Sequence, residues 1–437
     1  MPELFLTIFF ISILLFFLGS GIWVAISMIG VSSIGMLIFT SRPVGDAMAT
    51  TIWGTSSSWT LTALPLFVWM GEILFRTKLS ENLFKGLAPW MSRLPGGLIH
   101  VNVVGCALFA AISGSSAATV ATVGKMSIPE LRKRNYPEKL LLGSLAGSGT
   151  LGLLIPPSII LIIYGVTVQE SIAKLFVAGI IPGIMIAIIF MLYVIIWSTI
   201  NRKEMPTFTD KFSFTEKIKG SRQLLPVIIL IAAVIGSIYT GIATATEAAS
   251  LGVVGALVLS FFQKTLNKET FKLSLMGATK TSCMIAFILA GSTFLSLAMG
   301  FTGLPRNLAV WIQEMNLSPY LLIIVLTIFY IILGMFLDGI SAVVLTMAII
   351  EPMIRQAGFD MIWFGIFLVI VVEMAQITPP VGFNLFVLQG MANKDMGFIA
   401  RSAFPLFILM VLAVILIIVF PSIALWLPEQ MVQNISK

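Results

Sequence analysis

Twice in this chain a Pro-Pro pair, set among glycines and hydroxyls, interrupts a long apolar run: Gly147-Ser148-Gly149-Thr150-Leu151-Gly152-Leu153-Leu154-Ile155-Pro156-Pro157-Ser158, and Gln376-Ile377-Thr378-Pro379-Pro380-Val381-Gly382. Proline removes an amide donor and clashes with the preceding helical turn, so neither run can be one continuous helix. The surrounding composition makes the break consequential. The 437 residues are 58% hydrophobic and only 10% charged, against roughly 25% charged in soluble domains, so the chain is a polytopic membrane protein. In hydrocarbon, unpaired backbone is tolerated only where protein or a wet cavity satisfies it. Paired broken helices in two halves of a membrane protein therefore point to a binding site, as in a transporter.

The apolar pattern predicts spans near 4–20, 22–40, 47–75, 139–167, 174–200, 224–241, 244–263, 281–301, 362–392 and 403–427. The run before Arg42, the first basic residue, is about twice the ~20 residues one span needs and lacks the basic leader of a secretory signal. Lys and Arg gather between spans, at Arg76–Arg93, Lys125–Lys139, Arg202–Arg222 and Lys264–Lys280. By the positive-inside rule these loops are cytoplasmic and both termini are expected outside the cell membrane. The net charge of +7 then reflects topology and gives no sign of nucleic-acid binding. Cys106 and Cys283 have no C-x-x-C spacing, which argues against a disulfide framework or a transition-metal site. No phosphate-binding G-x-x-x-x-G-K-[ST] motif occurs, so the drive is not expected to come from a nucleotide on this chain.

Two further apolar segments return to the side they start from under this charge pattern. The segment 96–125 lies between basic loops and carries Ser113-Gly114-Ser115-Ser116 at its centre; the segment 319–351 lies between outside loops and carries Asp338-Gly339-Ile340-Ser341. Small, flexible residues suit the tip of a re-entrant hairpin. The order span, amphipathic stretch, hairpin, broken span, span then occurs twice, with amphipathic stretches at Lys78–Arg93 and Leu304–Met315. Gly114 precedes Pro156 by 42 residues, and Gly339 precedes Pro379 by 40. One unit begins outside and the other inside, which makes an inverted repeat. The expected fold is all-α: a polytopic membrane protein with inverted repeats, two re-entrant helical hairpins and two discontinuous helices, of an elevator-type ion-transporter-like kind. Its expected divisions are N-terminal scaffold helices at 1–46, a first repeat at 47–200 with hairpin 96–125, and central scaffold helices at 201–280. A second repeat at 281–427 with hairpin 319–351 and a tail at 428–437 complete it.

The chain resembles the large membrane (M) subunit of tripartite ATP-independent periplasmic (TRAP) transporters. The likeness rests on Ala63-Leu64-Pro65-Leu66-Phe67, Leu94-Pro95-Gly96-Gly97, Ala111-Ile112-Ser113-Gly114-Ser115-Ser116-Ala117-Ala118-Thr119, Ile155-Pro156-Pro157-Ser158, Thr246-Glu247-Ala248, Gly334-Met335-Phe336-Leu337-Asp338 and Thr378-Pro379-Pro380-Val381-Gly382. The resemblance implies sodium-driven uptake of a small organic anion, such as a C4-dicarboxylate, sialic acid or a related carboxylate, delivered by a periplasmic binding protein. It also implies a small four-helix membrane subunit, expected on a separate chain, and a bacterial inner-membrane location with both termini periplasmic. Each hairpin tip with its adjacent broken span would hold one sodium ion, with the substrate between them.

Sodium is a hard cation that hydroxyl and carbonyl oxygens suit. Ser113, Ser115, Ser116, Gly149 and Thr150 could supply these in the first half, and Gly339, Ser341, Gln376, Thr378 and Gly382 in the second. Gly114, Pro156, Pro157, Asp338, Pro379, Pro380 and Asn384 would bind substrate or support the site. Each single serine has the plain alternative of helix packing, and Asp338 that of a helix cap. Glu373 is read as a hydrogen-bonded support or a gating group, and Arg42 and Arg306 as outside attractors of an anion or ordinary loop charges. No catalytic residue and no cofactor are expected, sodium serving only as coupling ion. An intramembrane hydrolase would use Ser115 or Ser116 with His100, the one histidine, as base, yet would leave the second Pro-Pro break without purpose. An ion channel would conduct without substrate, and a stand-alone sodium-coupled exchanger would transport without a binding protein.

Overall fold

The computed structural model describes residues 2–77, 79–206, 213–222, 224–303 and 318–435, and among these every regular element is a helix. This is the outcome hydrocarbon imposes, because a helix closes its backbone hydrogen bonds within one segment. Pro2–Gly19 and Val24–Phe39 lead into the first unit. That unit comprises Val44–Ser56 with Ala63–Phe75, the amphipathic Leu79–Met91, the pair Ile99–Ser113 and Ser116–Lys133, the interrupted helix Glu138–Gly149, Leu151–Leu154 and Ile159–Thr167, and the long Ile172–Ile200. Leu225–Tyr239 and Ala245–Phe262 separate it from the second, which runs Lys268–Thr302, Pro319–Gly334 with Gly339–Gln356, Met361–Gln376 with Phe383–Ala392, and Met396–Val419. The second amphipathic stretch, Leu304–Met315, and Lys78 at the start of the first lie outside the described residues.

Both helix pairs fold back on themselves about their tips. A Cβ on Gly105 would lie 3.7 Å from Val123, and both residues are nine from Gly114. The Tyr330 hydroxyl meets that of Thr346 at 2.6 Å, each eight residues from Asp338. These pairings, symmetric about the two tips, are what antiparallel arms require.

Three boundaries differ from the sequence reading. The segment 47–75 is bent by 54° between Val44–Ser56 and Trp59–Phe75, where Thr55-Ser56-Ser57-Ser58 offers hydroxyls that compete with helical backbone hydrogen bonds. The basic stretch from Lys268 onward is helix, started by the Asn267 cap, so Lys268–Thr302 runs 35 residues, about 52 Å at 1.5 Å per residue and well beyond a ~30 Å hydrocarbon core. Its first turns, carrying Lys268, Lys272 and Lys280, thus have the length to leave the core. The segment 403–427 is divided at Phe420–Pro421, and most of the expected tail belongs to the helix Ser422–Ile435. By length and composition five described helices and two bent pairs can cross a membrane, while Val24–Phe39 and Leu225–Tyr239 are shorter apolar helices.

Small residues set the closest helix contacts, as expected where lipid removes most of the hydrophobic drive and close packing must supply cohesion. The first interrupted helix lies against Met396–Val419 of the other unit so tightly that a Cβ on Gly143 would fall 2.2 Å from the Ser402 carbonyl oxygen, and one on Gly147 2.2 Å from Leu406. The exchange is mutual: a Cβ on Gly365, in the second interrupted helix, would meet Tyr164 at 2.6 Å and Leu175 at 3.0 Å. Tyr164 also donates to the Met361 carbonyl at 2.7 Å, and Trp363 Nε1 to that of Ile417 at 3.0 Å. Outside this interlocked group, Lys268–Thr302 packs on Val24–Phe39, with Gly291 against the Ala25 backbone, and Gly252 accommodates Met70.

Because the obstacle at Gly143 is backbone, a larger residue cannot be absorbed by a rotamer change. Gly143→Val is expected to cost about 2–3 kcal/mol by overpacking, read as a lowered midpoint of thermal unfolding in detergent, whereas Gly236→Ala, where a Cβ meets nothing within 4 Å, should leave the midpoint unchanged.

Candidate functional site

The first tip forms because Gly114 adopts a left-handed conformation, φ 57°, that ends Ile99–Ser113 and lets the chain reverse at once. Ser115 then caps the returning arm, its Oγ accepting from Ala118 N at 3.4 Å. Ser113 Oγ lies 3.2 Å from the Ser115 carbonyl and 2.9 Å from the Thr119 hydroxyl, and Thr119 donates to the Ser115 carbonyl at 2.8 Å. Much of the hydroxyl chemistry at this tip therefore holds the tip itself.

That tip is pressed onto the first break. A Cβ on Gly152 would stand 2.6 Å from Ser116 Cα and 2.7 Å from the Ser115 carbonyl, and one on Gly114 3.0 Å from the Pro157 carbonyl. Beyond Leu151–Leu154 the backbone turns extended at Ile155, passes the cis Pro156-Pro157 bond and restarts at Ser158, whose Oγ accepts from Leu161 N at 3.4 Å and donates to the Leu153 carbonyl. Ser158 thus reconnects the two sides of the interruption. Thr150 Oγ1 donates to the Gly147 carbonyl at 2.6 Å.

The second half repeats the plan with other chemistry. Asp338 caps Gly339–Gln356, one carboxylate oxygen accepting from Ile340 N at 3.1 Å and Ser341 N at 3.2 Å. The Asp338 charge therefore lies at the positive end of a helix. The arms approach Met361–Gln376 just ahead of its break: Cβ atoms on Gly334 and Gly339 would meet Ala375 and Val372 at 2.6 and 2.8 Å. That Cβ on Gly339 would also lie 3.5 Å from Ile160 and 3.6 Å from Leu153, on either side of the first break. At the second break Thr378 Oγ1 donates to the Met374 carbonyl at 2.7 Å, Pro379-Pro380 is cis, and Gly382, at φ 47°, starts Phe383–Ala392. Both φ values lie where glycine is the default residue.

The two halves also meet through buried polar residues beside the breaks. A Cβ on Gly149 would be 3.6 Å from Asn384 Nδ2 and would overlap Val120 of the first hairpin. Glu373, one turn before Gln376, is 1% exposed, and the side chain facing it is Ser116 of the first tip. Neither Glu373 oxygen has a closed hydrogen bond, and the same holds for Ser148 Oγ, Gln376 Nε2 and both polar atoms of Asn384. Buried polar atoms are nearly always satisfied, so this concentration of unmet capacity marks where a ligand would be held.

Ser113, Gly114, Ser115, Ser116, Pro156 and Pro157 thus lie together, and Gly149 brings Asn384 to them. The second tip, with Asp338, Gly339 and Ser341, approaches Val372 and Ala375, the turns preceding Gln376, Thr378, Pro379, Pro380 and Gly382. Sequence reasoning passed over Ser148 and left Glu373 outside the ion sites; a carboxylate deep in an apolar helix was the available signal, whereas Ser148 resembles any packing serine. Other polar residues have local employment. Glu72 pairs with Arg76 at 3.0 Å, and Glu247 forms a capping box with Thr244. Arg42 lies over the Phe301 ring at 4.4 Å; Arg306 lies outside the described residues. His100 Nε2 is 2.8 Å from the Pro95 carbonyl, in the first turn of the helix whose far end carries Ser113, about 20 Å away along that axis. No group of three or more His, Cys, Asp or Glu side chains suited to a metal occurs among the described residues.

The chain as a whole has recognisable relatives. The profile described as "Tripartite ATP-independent periplasmic transporter, DctM component" matches residues 10–423. The C4-dicarboxylate TRAP transporter large permease protein DctM of Pseudomonas aeruginosa is 32% identical over 395 residues, covering 90% of this chain and 92% of the relative. The sialic acid TRAP transporter large permease protein SiaM of Vibrio cholerae is 29% identical over 415 residues, covering 94% and 96%. Among solved structures, the Alcanivorax borkumensis YdaH transporter superposes with a TM-score of 0.62 at 13% identity, over 95% of this chain and 97% of that one, a likeness of fold.

Tip docking should depend on Gly152. In a Cys283→Ser background, which removes the exposed cysteine and leaves the buried Cys106, a cysteine at Ser115 is expected to react slowly with a small maleimide. Adding Gly152→Val should speed that reaction about tenfold or more, the equivalent of ~1.4 kcal/mol of overpacking relieved by lifting the tip.

Proposed function

The chain belongs to the DctM-component family of tripartite ATP-independent periplasmic transporters, and from that membership we propose that it is the large permease subunit of a sodium-coupled uptake system for an organic anion. The observation that carries the reading is the docking of each hairpin tip on a Pro-Pro-interrupted helix, with buried polar atoms left unmet within two turns of the breaks. Interrupted helices expose carbonyls and amide ends at membrane depth, which suits coupling ions and an anionic substrate respectively. A C4-dicarboxylate is the first substrate class to test and sialic acid the second, in line with the relatives described above. A periplasmic binding protein would deliver the anion, and a small membrane subunit would complete the assembly, as the tripartite character of the family suggests.

Sodium at the tips would act by holding each hairpin down on its break. In the first half, Gly114 permits close approach of the tip to the Pro157 carbonyl and Gly152 to the Ser115 carbonyl; in the second, Ser341, Thr378 and Gly382 would offer the corresponding oxygens. An ion shared by a tip and a broken helix lowers the cost of bringing their carbonyl dipoles together, so the closed site would form with cation and substrate bound. Each charge moved through 100 mV contributes about 2.3 kcal/mol and each tenfold sodium gradient about 1.4 kcal/mol. Two sodium ions would thus supply on the order of 7 kcal/mol before the substrate's own charge is counted.

We further assign the moving unit to residues 64–183 and 303–405 and the static scaffold to 1–46 and 224–263, with both chain ends periplasmic. The interlocking of each unit's interrupted helix with the last helix of the other supports a single moving body. The amphipathic Leu79–Met91 would connect it to the scaffold.

The test is uptake of radiolabelled C4-dicarboxylate and sialic acid into proteoliposomes holding this chain with its small subunit, with sodium, membrane potential and binding protein omitted in turn. Uptake should fall to background when either sodium or the binding protein is missing; uptake indifferent to sodium would sink the coupling proposed here. Thr378→Val should raise the sodium concentration for half-maximal uptake about tenfold, consistent with losing one ligand worth ~1.4 kcal/mol.

A further inference from the structure

The buried polar residues beside the two breaks carry more ligating capacity than two tip sites use. Glu373 stands out because a carboxylate 1% exposed, with neither oxygen hydrogen-bonded, is not sustained as an anion inside a membrane protein without a compensating charge. No ion pair to Glu373 is formed among the described residues. Among the basic side chains on helices packed against Met361–Gln376, Arg355 lies near the opposite end of that helix, where it engages Glu351 at 3.0 Å and the Val168 carbonyl at 3.0 Å. Lys174 and Arg401 belong to the opening turns of Ile172–Ile200 and Met396–Val419, and Arg401 is exposed.

The neighbouring tip and breaks carry buried side-chain oxygens instead. Ser116 faces it from the first hairpin tip. Ser148 Oγ and Asn384 Oδ1 are buried without partners, and the two residues are linked through Gly149, whose Cβ position lies 3.6 Å from Asn384 Nδ2 and against Val120, one turn along from Ser116. Ser116, Ser148, Glu373 and Asn384 are 4%, 0%, 1% and 0% exposed.

We propose that Glu373, Ser116, Ser148 and Asn384 form a carboxylate-based sodium site, separate from the two tip sites, that joins the first hairpin to the second interrupted helix. A proton on Glu373 would satisfy one acceptor and leave the remaining oxygens unmet; a hard cation satisfies several at once. Gln376 Nε2 and Asn384 Nδ2, the unpartnered donors, serve the carboxylate lone pairs that the ion does not occupy. The site ties one repeat's tip to the other repeat's break, so its occupation couples the two halves, and the ion adds one positive charge to each transport cycle. The proposal rests on the sodium-coupled reading given above.

The experiment measures sodium ions moved per substrate, by reversal potential in proteoliposomes holding the whole assembly, for wild type, Glu373→Gln, Ser148→Ala and Asn384→Ala. A second readout follows sodium-dependent thermal stabilisation of each purified variant. The expected result is one fewer sodium per substrate in Glu373→Gln. In Ser148→Ala and Asn384→Ala the sodium concentration for half-maximal stabilisation should rise several-fold. Should Glu373→Gln not purify as a folded protein, the two neutral-residue variants decide the matter through that same shift. An unchanged sodium ratio in Glu373→Gln, or unchanged sodium stabilisation in the other two, overturns the site, and so does a loss of proton movement with the sodium ratio intact. Sodium-independent uptake by wild type would instead remove the underlying reading, so the two failures are distinguishable.

Discussion

The structure turns on one constraint: backbone cut open inside hydrocarbon must be satisfied from elsewhere. Two Pro-Pro pairs cut two helices, and much of the rest can be understood as what those cuts require. Ser158 bridges the first interruption from within, and a hairpin tip approaches each interrupted helix from outside. The tips must come very close, which accounts for glycine at 114, 152 and 339, where a Cβ would meet backbone or tightly held side chains within about 3 Å. Side-chain oxygens then secure each turn, those of Ser113, Ser115 and Thr119 at the first tip and the Asp338 carboxylate at the second. Supporting a cut helix and building an ion-binding surface are thus the same structural act, since both need carbonyls and small polar groups at membrane depth.

Cohesion of the assembly comes from interlocking rather than from a single core. Each interrupted helix packs on the last helix of the other unit through glycine, Gly143 and Gly147 on one side and Gly365 on the other. A hydrogen bond from Tyr164 to the Met361 carbonyl fastens the two interrupted helices together, and one from Trp363 to the Ile417 carbonyl fastens the second to the last helix of its own unit. A group held in this way tends to move as one body. Beside the breaks, four buried residues within it, Ser148, Glu373, Gln376 and Asn384, keep unmet hydrogen-bonding capacity.

Much of the architecture was legible because composition and periodicity act locally. Apolar length announces helices, proline announces where they cannot continue, and small residues between apolar arms announce a reversal; the observed hairpins and interrupted helices follow that reading closely. It failed where a local signal had two physical outcomes. Serine and threonine at 55–58 can pack within a helix or break it, and they break it. The lysines at 268–280 suited a loop, yet a helix long enough to carry them beyond the hydrocarbon accommodates them equally well.

The sequence by itself determined that the chain is a helical membrane protein with two interrupted helices beside two hairpins, because proline geometry and the hydrocarbon's intolerance of open backbone act on each segment independently of the rest. Only the tertiary structure decided which segments face one another. The meeting of Ser116 with Glu373, and of Gly149 with Asn384, joins residues more than 200 positions apart, and no periodicity encodes such a distance. For the same reason Glu373 read in isolation was a support or a gate. Its significance lies in having only Ser116 opposite it and neither oxygen in a hydrogen bond of normal geometry, a property of the surrounding packing that no single segment of the chain contains.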